Sequence, residues 1–248
     1  LSDDNIELDF TQVFKLCLKD TESCVREKAT HGLWECGDRT IIHPLINLLL
    51  SDPSAKVRAA ASDTLSSFTV MTQNDKLISQ DADRIQEALI TVIGDKDEEI
   101  EVKRRAIEAI SAFDLPKVDQ IIRNAYRSNN LRMMQSSIYA MGRSGKNQWL
   151  RDIIKNVGHE DASIRYEAVL ACGQLGDDSN VPDLIPLLKD EDYQVQLAAI
   201  KSLGEIGGQL AQRELIQSLE TGDESLTEII GHALAQIDFD EDPLGFQV

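Results

Sequence analysis

Apolar residues recur along the chain in blocks that share one helical face. In the block that starts at Ile164, apolar or small residues stand at offsets 0, 4, 7, 8 and 11, a spacing that lies on one side of an α-helix. The block returns at steps of 31 or 32 residues, with one longer step of 45. The pattern predicts seven amphipathic helices in a repeating array. Their anchor residues, at offset 0, are Val25, Val57, Val102, Met133, Ile164, Val195 and Leu226.

Each of these helices has a predicted start and stop. Three residues before the anchor, five of the seven blocks carry Ser, Asn or Asp, which are strong N-cap residues. Twelve residues after the anchor, four blocks carry Gly, which fits a left-handed residue that closes a helix. These four glycines are Gly37, Gly145, Gly176 and Gly207.

A second, shorter apolar pattern precedes each cap, as in "IIHPLINLLLSD" and "VPDLIPLLKD". Pro182 falls near a first helical turn, where its missing N–H is harmless, whereas Pro186 lies deeper and predicts a distorted or shortened helix. The repeat is therefore two antiparallel helices joined by a tight acidic turn. About seven such pairs predict an all-α fold, a right-handed α-solenoid that forms a single domain over residues 1–248, because one pair cannot bury its apolar face alone.

Two segments fall outside the repeat. The longer step between the second and third blocks places a polar stretch, residues 69–82, which is interpreted as an inserted surface loop, with a functional loop as the alternative. Residues 239–248 form an acidic C-terminal tail that is expected to cap the last repeat.

The stretch "DASIRYEAVLACGQLGDDSNVPDLIPLLKDED", echoed by "VREKATHGLWECGD" and "VQLAAIKSLGEIG", resembles the short HEAT repeats of the phycobilisome-lyase-like type. The resemblance covers about residues 10–238 and implies the solenoid fold. It implies no single function, since that family includes chromophore lyase subunits, hydroxylases and adaptor proteins. The tetratricopeptide and ankyrin patterns are absent from the sequence.

Charge narrows the classes of partner. The formal net charge is −18, so nucleic acid and anionic membrane surfaces are disfavoured, whereas a protein with a basic patch is compatible. The alternative is that the negative charge only keeps the protein in solution. No apolar run approaches the 18 residues of a membrane span, and no signal-peptide pattern is visible, so a cytoplasmic location is expected.

The sequence offers no complete catalytic or metal-binding set. Four cysteines lack CxxC spacing and are interpreted as free thiols, and neither a metal nor a cofactor is predicted. Deoxyhypusine hydroxylase resembles this repeat and holds iron with His-Glu pairs in second helices. Here Tyr166-Glu167 stands at one such position, and the pair His159-Glu160 falls in a turn.

A partner-binding surface is predicted on the concave face, which second helices line in stacked helix pairs. Offsets 2, 6 and 9 point away from the core in that interpretation, and Gly142, Gly173 and Gly204 leave room there. The candidate residues are Tyr139, Tyr166, Leu170 and Leu197, which form an apolar strip, with Trp34 and Arg104 on other repeats. The strip favours a non-catalytic scaffold or adaptor that binds a protein or peptide. Alternatively, the chain's own tail covers the strip. The alternative functions are a bilin-lyase-like chromophore handler and a purely structural spacer.

A basic row lies at offset 1, beside the acidic turns. Its members are predicted to form exposed ion pairs between repeats, worth about 0–1 kcal/mol each. They are Arg26, Arg58, Lys103 and Arg165.

Overall fold

The computed structural model describes residues 9–73, 79–221 and 224–241. Within these ranges every regular element is a helix and no strand occurs, so the class is all-α, as predicted. The chain divides into two compact units, residues 1–121 and 122–248, and each is described by itself. The single seven-repeat domain therefore stays a prediction.

The first unit consists of stacked helix pairs. Its helices are α1 (Thr11–Cys17), α2 (Ser23–Gly32), α3 (Ile42–Ser51), α4 (Ala55–Gln73), α5 (Ser79–Gly94) and α6 (Ile100–Ile110), and α7 (Pro116–Tyr126) spans the division between the units. The second helices of the pairs, α2, α4 and α6, pack side by side. The first helices α3 and α5 pack as neighbours, and each also packs on the second helix of its own pair.

The second unit repeats this arrangement. Its helices are α8 (Leu131–Arg143), α9 (Leu150–Ile154), α10 (Ala162–Leu175), α11 (Val181–Leu184), α12 (Tyr193–Ile206), α13 (Gly208–Thr221) and α14 (Thr227–Glu241). The second helices α8, α10, α12 and α14 pack side by side in chain order. Both units therefore have the α-solenoid architecture that the sequence predicts.

The predicted apolar columns form the core. All seven side chains at offset 4 are buried, and so are six of the seven at offset 7. The exception at offset 7 is Gly32, where an added β-carbon would lie 2.6 Å from the ring of Phe14. Small residues fill the offset-7 column because successive second helices approach closely there, and they fill six of the seven positions at offset 4. The buried side chains at offset 4 are Ala29, Ala61, Ala106, Ser137, Ala168, Ala199 and Ile230.

A buried hydrogen bond joins successive second helices at the same place in both units. The Ser202 hydroxyl donates to the carbonyl oxygen of Val169 at 2.9 Å, and the Thr64 hydroxyl donates to the carbonyl oxygen of Thr30 at 3.0 Å. Each bond runs from offset 7 of one repeat to offset 5 of the repeat before it. A bond of this kind contributes about 1 kcal/mol to stability and fixes the register of the two helices.

Three helix starts have the predicted caps, at Asn130, Asp161 and Asp192, whereas Asp223 lies outside the described residues. Asp161 accepts hydrogen bonds from the backbone N–H groups of Ser163 and Ile164 at 2.9 and 3.4 Å, and Asp192 caps α12 in the same way. Asn130 accepts from the N–H of Met133 at 3.1 Å at the start of α8. These side chains satisfy donors that a helix start otherwise leaves unpaired.

The helix stops are of two kinds. Gly145 and Gly207 have φ values of 69° and 73°, as predicted for left-handed closing residues. The predicted left-handed conformation is wrong at Gly176, which is extended with φ −75°, and at Gly37, which has no positive φ and lies five residues after the end of α2. Glycine is required at Gly176 for another reason, because a β-carbon would lie 2.6 Å from the carbonyl oxygen of Cys172.

Pro186 shortens its helix, as predicted. The α-helical turn α11 gives way to a 3₁₀ helix over Ile185–Lys189. A proline lacks the N–H that an α-helix would use at this point, and its ring would clash with the preceding turn.

The predicted loop over residues 69–82 is wrong at both ends. Residues 69–73 continue α4, and residues 79–82 begin α5, while residues 74–78 lie outside the described residues. Thr69 is buried, because the extended end of α4 still packs on the core. The predicted tail is likewise helical at residues 239–241, where it completes α14, and residues 242–248 lie outside the described residues.

Candidate functional site

The candidate strip lies on three adjacent second helices of the second unit. Tyr139 on α8, Tyr166 and Leu170 on α10, and Leu197 on α12 are all half-buried. The Tyr139 hydroxyl accepts a hydrogen bond from Nη1 of Arg143 at 2.9 Å, which fixes the hydroxyl end of the ring. We call these four residues the second-helix strip.

The glycines beside the strip do not leave room, which corrects the prediction. Gly142, Gly173 and Gly204, at offset 9, are buried. A β-carbon at these three positions would lie 2.8, 2.7 and 2.9 Å from the β-carbons of residues at offset 7 in the next repeat. Offset 9 therefore faces the neighbouring second helix and not the solvent. The partners at offset 7 are Ala171, Ser202 and Ala233.

A groove of about 480 Å³ continues the strip between α12 and α14. Leu197 lines one wall, and Ile229 and Ala233 line the other. Lys201 and His232 border it, so its edge is polar while its floor is apolar. The sequence pattern did not predict Ile229 as part of this surface, although Ile229 is an apolar residue beside the outward positions of the last repeat.

A smaller groove of about 260 Å³ lies beside Tyr166, near the N-terminal ends of α10 and α12. Ser163, Asp192 and Gln194 contribute polar atoms to its lining. Tyr166 and Leu197 thus border different grooves on one face. The structure places an aromatic ring next to polar groups at the middle of the strip and an aliphatic surface at its α12 end.

Trp34 and Arg104 lie in the first unit, apart from the strip in the chain. The Arg104 guanidinium pairs with Glu101 at 2.6 Å and with Glu108 at 3.6 Å on its own helix. Because both of these ion pairs lie within α6 and neutralise the guanidinium, Arg104 is not part of the proposed surface. Trp34 is 39% exposed and lines a groove with His31 and Asp63.

The basic row forms ion pairs between repeats, but they are more buried than predicted. Nε and Nη2 of Arg165 bind the two carboxylate oxygens of Asp190 at 2.8 and 2.7 Å, and these side chains are only 8% and 7% exposed. Arg26 forms the same bidentate ion pair with Asp52. Arg58 pairs with Glu98 at 2.8 and 2.7 Å. Lys103 instead donates to the Lys96 carbonyl oxygen at 3.4 Å.

The pair at Asp190 sets the ionisation of that carboxyl group. Burial opposes its charged form, but hydrogen bonds from Arg165 and from the backbone N–H of Asp192 outweigh burial and hold the pKa of Asp190 below its ordinary value. The remaining donor of Arg165, Nη1, binds the carbonyl oxygens of His159 and Glu160 at 2.9 and 3.0 Å. One guanidinium therefore connects its own turn with the turn of the next repeat.

The cysteines and histidines do not assemble a metal site in the described part of the chain, where no cluster of three or more potential ligand side chains occurs. The four thiols are free, and burial, with Asp183 and Asp177 nearby, raises the pKa of Cys172 to about 11. His159 has a structural contact in its own turn, where Nδ1 accepts a hydrogen bond from the backbone N–H of Asp161 at 2.9 Å. Among the described helices, none is long and apolar enough to cross a membrane.

Comparison with known proteins identifies the repeats. The HEAT repeat model matches residues 41–70, and a second model, described as HEAT repeats, matches residues 147–235. HEAT repeats therefore match two ranges of the chain, one in each unit, as the resemblance implied. No curated protein matches the chain.

Solved structures are similar to this chain at low sequence identity, and the two with TM-scores above 0.5 share the fold. The complex of CpcE and CpcF of phycocyanin lyase from Nostoc sp. PCC7120 is 14% identical, with a TM-score of 0.62, over 96% of this chain and 97% of that chain. YibA of Escherichia coli is 18% identical, with a TM-score of 0.52, over 92% and 81% of the two chains. Human deoxyhypusine hydroxylase is 16% identical, with a TM-score of 0.44, over 92% and 84%.

Proposed function

We propose that this protein is a non-catalytic HEAT-repeat scaffold that binds a segment of a partner protein on the second-helix strip. The observation that carries the proposal is the run of half-exposed apolar side chains across α8, α10 and α12. In the repeat these are outward positions, and elsewhere they hold polar residues such as Asp63, Glu108 and Lys201. Contiguous apolar surface of this kind is typical of interaction sites.

The surroundings of the strip support a protein ligand. Protein interfaces combine an apolar centre, rich in aromatic residues, with a polar rim. Around the strip, the Gln135 amide donates to Glu167 at 3.1 Å, and Lys201 lies 3.7 Å from Glu205. These polar pairs lie on the same three helices as the half-exposed apolar residues, so a bound segment would bury the strip beside polar groups.

The strip is tested by comparing partner capture by the wild type with capture by Tyr166→Ala plus Leu170→Asp. The double variant removes an aromatic ring and places a charge at the centre of the strip, so we expect partner capture to fall at least about tenfold. Ile216→Asp is the matched control, because it charges an exposed apolar residue on the first helix α13 of the same unit. Equal capture by the folded double variant and the wild type would overturn the proposal.

A bilin-lyase-like chromophore handler is the competing function. It is supported by the fold likeness to the phycocyanin lyase complex and by a groove of about 480 Å³, within the size range of small-molecule sites. Incubation with a linear tetrapyrrole, followed by an absorbance scan, separates the two functions. A saturable spectral shift that Leu197→Asp abolishes would favour the chromophore, and an unchanged spectrum would favour the scaffold.

A further inference from the structure

Trp34 occupies a repeat position that needs a small residue. It stands nine residues after its anchor, and the next five repeats carry buried serine or glycine there. The glycines at this position touch the next second helix, as at Gly173. An indole ring does not fit between two helices at that separation. The five small residues are Ser66, Ser111, Gly142, Gly173 and Gly204.

The local structure accommodates this tryptophan by ending α2 early. α2 ends at Gly32, and Trp34 lies in the turn that follows, whereas α10 continues past Gly173 to Leu175 and α12 continues past Gly204 to Ile206. The Thr64 hydroxyl still joins α4 to α2, so the two helices remain packed. Because the helix stops before it, the indole is turned to the surface and is 39% exposed.

The exposed indole borders a groove that is lined by acidic side chains. The groove, of about 390 Å³, lies between α2 and α4 and is lined by His31, Gly32, Trp34, Glu35 and Asp63. It contains two carboxylates and neither lysine nor arginine. The charge of Arg105 reaches Asp63, but that guanidinium is held by Glu101 and Glu108 at 3.3 and 3.0 Å.

We infer that this groove receives a basic side chain of a partner protein, with the cation over the Trp34 ring and the carboxylates of Glu35 and Asp63 beside it. An indole face attracts cations, and the opposite charge of the two carboxylates strengthens that attraction. Arginine fits better than lysine, because a planar guanidinium stacks on the ring and binds a carboxylate with two donors. The groove lies in the first unit, so the inference is independent of the second-helix strip.

The two tryptophans of the chain allow a direct measurement. Trp149 is buried and Trp34 is exposed, so ¹⁵N–¹H spectra contain two indole signals that Trp34→Phe assigns. The probes are the peptides Ac-Gly-Arg-Gly-Arg-Gly-Arg-Gly-NH₂ and the same sequence with Glu in place of Arg. We expect a saturable shift of the Trp34 signal with the arginine peptide, and unchanged signals with the glutamate peptide. Absence of a saturable Trp34 shift with the arginine peptide overturns the inference.

Matched variants separate this groove from general attraction to an acidic protein. Glu35→Gln plus Asp63→Asn is expected to weaken arginine-peptide binding about fivefold or more. Glu160→Gln plus Glu220→Gln removes the same number of charges at exposed positions elsewhere and should change binding much less. Equal weakening by both pairs overturns the inference. Glu35→Gln alone, at an exposed position, repeats the test if the first pair disturbs folding.

Discussion

Gly173 lies against Ser202 so closely that a β-carbon at Gly173 would sit 2.7 Å from the β-carbon of Ser202. The same contact recurs between α8 and α10 and between α12 and α14, each time from offset 9 to offset 7. This column of glycines sets the separation of the second helices. The surface that carries the second-helix strip therefore depends on residues that are themselves buried.

Gly173→Ala should destabilise the protein. The new methyl group would overlap Ser202, and Ser202 is fixed by its hydrogen bond to the Val169 carbonyl oxygen. Overpacking of this kind costs about 1–3 kcal/mol. Urea or thermal unfolding measures the loss.

Gly231→Ala is the control for that experiment. Gly231 lies within α14, is exposed, and a β-carbon there would meet no atom within 4 Å. Alanine favours a helix interior over glycine by about 0.5–1 kcal/mol, so this variant should be more stable than the wild type. Loss of stability in both variants, to the same degree, would contradict the packing role of Gly173.

Arg165→Met should destabilise the protein by about 3 kcal/mol, because it leaves the buried carboxylate of Asp190 without its partner. Arg213→Met is the comparison. Arg213 is 70% exposed and lies 3.1 Å from Glu214, and exposed pairs contribute at most about 1 kcal/mol. Denaturant unfolding of both variants gives the two free energies, and similar small losses would show that burial adds nothing to the Arg165 pair.

The Arg165–Asp190 ion pair also predicts that the stability of the folded protein depends on pH. The pKa of Asp190 lies lower in the folded than in the unfolded protein, where it is about 3.9. The pair therefore contributes stability above that unfolded value, and the contribution is lost as pH falls through the folded pKa. Stability measured from pH 6 to pH 2 should fall more steeply for the wild type than for Asp190→Asn. Parallel profiles would contradict the assignment.

The thiols should differ in reactivity. Cys24 is exposed, whereas Cys172 is buried and its pKa is raised to about 11. Because the thiolate is the reactive form, iodoacetamide at pH 8 should modify Cys24 in the folded protein and spare Cys172. Peptide mass spectrometry before and after denaturation measures both. Equal modification rates in the folded state would show that α10 is not packed as described.

The sequence predicted the buried columns because one helix's periodicity shows which residues share a face. It failed at Gly142 and its equivalents because the position of the next helix is not contained in that periodicity. It also failed at residues 69–73, where the longer step of the repeat predicts a loop although α4 continues through them. Thr69 is buried there, and it continues the buried face of α4.

The exposure of the candidate residues was predictable in part, whereas their role in binding stays a prediction. Tyr166 and Leu170 remain half-exposed, as their outward positions indicate. Arg104 differs, because Glu101 and Glu108 stand three residues before and four after it, and this spacing predicts ion pairs within one helix. Ile229 was missed because the groove it lines requires the packing of α14 on α12.

The second-helix strip is tested most directly by site-specific photocrosslinking. A photoreactive phenylalanine analogue replaces Leu170 in one sample and Ile216 in another, and both samples are irradiated in the native lysate. The account predicts a discrete crosslinked partner band from position 170, lost when Leu197→Asp is added, and no such band from position 216. Absence of a band at position 170, or the same band from both positions, would contradict the proposed surface.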